Sequence, residues 1–127
     1  MRLGLLFVVA IVSSSQLLAE STSFSRDIAP LFRNVCASCH LTGKEAGEIA
    51  LYPQVAWSNL VNVPSRQSSH MRVKPGDADN SYLMLKLDGT HLDAGGSGTR
   101  MPFNGTPLSE EVRAQIRAWI EEGAKDN

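Results

Sequence analysis

Cys36, Ala37, Ser38, Cys39 and His40 read C-x-x-C-H, the attachment string of a c-type haem. Two cysteines three apart share one side of a helical turn. Both thiols can then reach the two vinyl groups on one porphyrin edge and form thioethers. His40, directly after the second cysteine, is held beneath the ring, where an imidazole nitrogen can bind the iron from one axial side. The competing readings are a thioredoxin-like thiol pair, half of a zinc site, or chance. A zinc site asks for two more ligands, and the chain has no other cysteine. A disulfide between the two after export is open in principle, but it gives the adjacent histidine no role.

An iron with His40 on one side has a second axial position. Met71, Met84, Met101, His70 and His91 are the candidates. A methionine thioether is soft, favours reduced iron and raises the potential, which suits an electron carrier. Met101 is the expected distal ligand. It lies in the glycine-rich stretch from Thr90 to Thr106, which can fold over the second face, and Pro102 stiffens that stretch. His91, in the same loop, is the rival. Met84 stands among leucines of a predicted helix, where methionine is ordinary core. Met71 and His70 lie in a polar connector. A sixth site left open would favour binding of a small gas or peroxide.

Four helices are expected to position these groups. Phe24 to Cys36 carries an apolar stripe at Ile28, Leu31, Phe32 and Val35 and delivers the chain to the cysteines. Ser25 or Asp27 can cap its start; Asp27 is preferred, because Pro30 then falls in the first turn. Leu41 to Gly47 is a loop, and Ile49 and Leu51 form a short extended piece beside the haem. Pro53 opens a second helix with Ala56, Trp57, Leu60 and Val61 on one face, ending near Asn62. Trp57 can donate to a haem propionate or serve as plain core. Arg66, Arg72 and Lys74 are further candidates for a propionate, or are simply solvated. After the Pro75-Gly76 turn, Asp77 is the expected N-cap of a third helix running to about Leu87, closed by Gly89. The last helix runs from Leu108 to Gly123, with Ser109 as N-cap and Val112, Ile116, Trp119 and Ile120 inward.

The 127 residues carry a net charge of −1, too little positive charge for nucleic acid. Residues 1–19 have the layout of a secretory signal peptide: a positive start, an apolar run from Leu3 to Val12, and a small residue, Ala19, before a cut. The competing reading is an uncleaved anchor, though the run is short for a bilayer span. Residues 20–127 then form one domain in the periplasm or secreted, with no stable membrane insertion.

Taken together these stretches resemble the small monohaem c-type cytochromes of the bacterial periplasmic type. The resemblance runs from about Phe24 to Ala124. Asp27 to Phe32 leading into Cys36 to His40 carry it, with Leu60 to Ser65, Pro75-Gly76-Asp77 ahead of Ser81-Tyr82-Leu83, and Arg100-Met101-Pro102 ahead of Trp119 to Ala124. Ala78 departs from the pattern, which usually has proline there. The resemblance implies an all-α cytochrome c fold of about four helices around one covalent haem. It implies that the first and last helices cross, with Phe32 or Leu31 meeting Trp119 or Ile116. It also implies Cys36 and Cys39 as the thioether positions, His40 as proximal and Met101 as distal iron ligand. In better-known members of the family a carbonyl near a proline about a dozen residues after the histidine orients the imidazole; Pro53 is close to that distance, which does not by itself assign the contact. The expected function is single-electron transfer between donor and acceptor redox proteins that dock transiently, without enzymatic turnover. The alternative is a haem subunit or sensor-like domain whose exchangeable sixth site binds a small ligand.

Overall fold

The computed structural model describes residues 20–127. The expected signal peptide, residues 1–19, lies outside them. The first helical segment, α1, covers residues 24–36. Its turns are widened over Phe24–Ile28 and Phe32–Cys36 and α-helical over Ala29–Leu31. Three helices follow: α2, Pro53–Leu60; α3, Tyr82–Asp88; and α4, Glu110–Glu121. The described residues are all-α, and extended pairing is limited to isolated bridges such as Val61 with Val73. No helix among them is long and apolar enough to cross a membrane.

The segment α1 starts at Phe24 as expected, but its cap is neither Ser25 nor Asp27. Ser23 is the cap: its hydroxyl accepts from the Arg26 N–H at 3.2 Å, while the Asp27 carboxylate accepts from the Ser23 N–H at 2.8 Å. Asp27 thus works from inside the helix, back onto the cap, as the acidic member of a capping box does. Pro30 consequently lies deep in the segment. It has no N–H to give to the preceding turn, and the widened turn before it is bonded i→i+5, from Ala29 N–H to Phe24 O.

The core joins all four helices. Ile28, Phe32, Leu60, Met84, Ile116, Trp119 and Ile120 are almost fully buried. Each such side chain contributes about 1.5–3 kcal/mol relative to exposure. The first and last helices meet through Phe24, a residue the sequence pattern passed over. Its ring lies 5.4 Å from Trp119 and 6.4 Å from Phe32, centroid to centroid. The segment beyond α4 locks this junction. The Ala124 and Lys125 carbonyls accept the indole N–H of Trp57 (2.8 Å) and Trp119 (2.9 Å). Trp57 is therefore committed to the core and not to a propionate.

Asp77 does not start α3. Its carboxylate accepts from the backbone and side-chain N–H groups of Asn80, closing a separate turn, and α3 begins at Tyr82 with Ser81 in the N-cap position. Gly89 ends α3 with φ 79°, and Asn62 takes φ 58° just beyond α2, as their types allow. Ser109 caps α4 by accepting from the Val112 N–H at 3.3 Å.

Candidate functional site

The end of α1 continues directly into the cysteine string. The Cys36 carbonyl accepts from both the Cys39 (3.1 Å) and His40 (3.0 Å) N–H groups, so residues 36–40 stay in one tight turn. Both cysteines are free thiols. Burial, with Cys39 nearby, pushes the Cys36 thiol up to about 11, so it is a poor thiolate at neutral pH. His40 is half-buried, and burial lowers its pKa against the opposing pull of Glu45. The imidazole is thus kept neutral, the form with a lone pair for a metal. Its Nδ1 is buried without a hydrogen-bond partner among the described residues.

The stretch after His40 folds back on it. The Glu45 carboxylate accepts from the Thr42 and Gly43 N–H groups and from the Thr42 hydroxyl, at 2.9–3.1 Å. These bonds lower Glu45 from its ordinary 4.5 to about 2. The His40 carbonyl then accepts from the Leu51 N–H at 2.7 Å, which brings Ile49 and Leu51 to the wall of a cavity.

That cavity has a volume of about 360 Å³, within the ~300–1,000 Å³ of cofactor sites. Cys36, Cys39 and His40 line it, and Leu60, Leu83 and Leu87 add apolar surface from α2 and α3. Met101 lines the same cavity, and it is the only one of the five second-axial candidates that does. His91 is buried elsewhere, with Nε2 3.0 Å from the Gly98 carbonyl, and Met84 is core. The apolar walls, neutral imidazole, thioether and paired thiols fit a haem in ligand type. Among the described residues no three His, Cys, Asp or Glu side chains group closely enough to hold a bare metal ion.

The loop that bears Met101 is held by α3. The Tyr82 hydroxyl donates to the Ser97 carbonyl at 3.0 Å and accepts from the Ser97 N–H at 3.1 Å. Lys86 Nζ donates to the same carbonyl at 3.1 Å. The Arg100 guanidinium donates to the Leu87 carbonyl, and the Met101 N–H donates to the Lys86 carbonyl, both at 3.0 Å. Sequence reasoning missed this role of Tyr82 and Lys86. The available signal was a polar i, i+4 pair on a helix otherwise read as core. Of the sequence's cationic candidates, Arg72 reaches the cavity, Arg66 pairs with Glu48 (3.3 Å), and Lys74 pairs with Asp77 (2.7 Å).

No family model and no curated protein matches the chain. Among solved structures it is similar to Kuenenia stuttgartiensis hydrazine synthase, with 26% sequence identity and a TM-score of 0.53. The match covers 81% of this chain and 16% of that one, so this chain spans a small part of the protein it resembles.

Proposed function

We propose that this chain is a monohaem electron-transfer domain of the cytochrome c type, acting in the periplasm or after secretion. Cys36 and Cys39 would hold the porphyrin as thioethers, with His40 and Met101 as the axial ligands. The observation that carries the reading is the convergence of a C-x-x-C-H turn and a distant methionine on one apolar cavity. When bound, haem supplies a one-electron ferrous/ferric couple. The chain's own task is to keep two axial donors in place through both states, so that little reorganises. The turn at residues 36–40 and the bonds from α3 to the Met101 loop support that task. Exposed Val35 and Phe103 also line the cavity and give its mouth an apolar rim, suited to brief docking of a redox partner through a small interface. The high thiol pKa of Cys36 speaks against a thiol–disulfide exchange protein.

The test begins with a pyridine haemochrome spectrum and a haem stain after denaturing electrophoresis. Covalent haem is expected in the natural chain and is lost in Cys36→Ala/Cys39→Ala; its absence from the natural chain ends the reading. The oxidised protein is expected to show the far-red band of a methionine–iron bond, and Met101→Ala is expected to abolish it. A band that survives moves the distal ligand away from Met101. Carbon monoxide binding by the untouched reduced protein would shift the function to small-ligand binding.

A further inference from the structure

We propose that Lys86 and Gln67, meeting at Gly98 on the cavity wall, form a carboxylate-binding subsite that holds one propionate of the porphyrin. This rests on the haem reading above and names residues that composition and spacing did not. Lys86 is only 7% exposed, and an ammonium has three donors. One goes to the Ser97 carbonyl at 3.1 Å, and the Tyr82 ring lies 5.8 Å from the nitrogen. No carboxylate among the described residues pairs with it. A buried cation without a counter-charge is unfavourable, so an anion belonging to a ligand would complete it.

A second, neutral donor stands at the same place. Among the described residues the side-chain amide of Gln67 makes no hydrogen bond, and its backbone N–H is tied to the Ser65 hydroxyl at 3.0 Å. A Cβ placed on Gly98 would lie 3.2 Å from Lys86 Nζ and 3.4 Å from Gln67 Nε2. Both donors therefore crowd one backbone position where the side chain is absent and φ is +79°. All three residues line the cavity. The cationic candidates named from the sequence are committed: Arg66 and Lys74 to carboxylates, and Arg72 to the carbonyls of Asn59, Gly47 and Glu48.

A purely structural Lys86 would only staple Ser97, a task the Tyr82 hydroxyl already shares. The two roles separate in the pH dependence of the haem potential. In the holoprotein with Lys86 in place, the propionate stays ionised, and the potential is expected to be flat from about pH 5 to about pH 9. Removing the cation raises the carboxyl pKa into that range. The anion favours ferric iron, so the potential of Lys86→Met is expected to fall as pH rises through that pKa. Gln67→Leu is expected to show a smaller displacement in the same direction. Lys86→Arg restores the flat profile, and Lys74→Met is expected to match the natural chain.

Spectroelectrochemical titration of each haem-loaded protein reads this directly. A Lys86→Met curve that superposes on the natural one, with haem retained, overturns the subsite. If Lys86→Met fails to fold, a Gln67→Leu curve identical to the natural one overturns it instead. A natural chain without covalent haem removes the haem reading and this proposal with it, an outcome the haemochrome spectrum reports separately.

Discussion

The cavity has two walls built in different ways. The proximal wall, residues 32–51, is held mostly by its own neighbours: Ala37 N–H to Phe32 O, His40 N–H to Cys36 O, Glu45 onto Thr42 and Gly43, and Leu51 N–H to His40 O. The distal wall, residues 90–103, is held largely from outside, by Tyr82 and Lys86 on Ser97 and by backbone oxygens of α3 on Arg100 and Met101. A short-range wall survives the loss of any one side chain, because each bond closes a small loop. A wall held by a few remote side chains can loosen alone. The proposed proximal donor, His40, sits on the first, and the proposed distal donor, Met101, sits on the second.

The largest expected effect is one that erases the contrast. Trp119 underlies α1 through Phe24 and ties the chain after α4 through Lys125. Trp119→Ala is expected to cost about 3–5 kcal/mol, read by urea unfolding. Both walls should unfold in one transition. A distal transition well ahead of the proximal one in that variant would show that Trp119 serves only part of the fold.

Tyr82→Phe sharpens the contrast. It removes one hydroxyl that both donates to and accepts from Ser97, a loss of about 1–2 kcal/mol. Hydrogen exchange is expected to speed up at Ser97 and Met101 while Ala37, His40 and Leu51 keep their protection. Equal acceleration at both sets would make the walls a single cooperative unit.

The same contrast explains what was legible in the sequence. The cysteine spacing of the proximal wall could be read because its determinants are neighbours, and so could the ends of α2, where Pro53 at the start and Asn62 just past the end are one-turn effects. Met101 stood out because glycines surround it, although what holds its loop did not. Tyr82 and Lys86 act on Ser97 across the fold, and no local period marks such a contact. The same reason hid Phe24, whose partner Trp119 lies at the far end of the chain. The misassigned cap of α1 and the misplaced start of α3 are of another kind. Ser23 and Asp27 both carry capping oxygens, as do Asp77 and Ser81, and sequence alone does not say which residue begins the helix.

The smallest expected effect tests the proximal wall by its own weak point, Glu45. Its carboxylate is bonded in the folded chain and lowered from 4.5 to about 2. A lowered folded pKa means the contribution to stability is fully present above about 4.5. It fades as pH falls towards about 2, because the unfolded chain takes up the proton first. Glu45→Gln removes that titration and two charge-assisted bonds. The natural chain is expected to lose protection at Thr42 and Gly43 on acidification across this window, with the Ser97 and Met101 amides following only at global unfolding. The variant should show weaker protection at Thr42 and Gly43 at neutral pH and little further change on acidification. An unaltered acid response in Glu45→Gln would mean that another carboxylate governs the proximal loop.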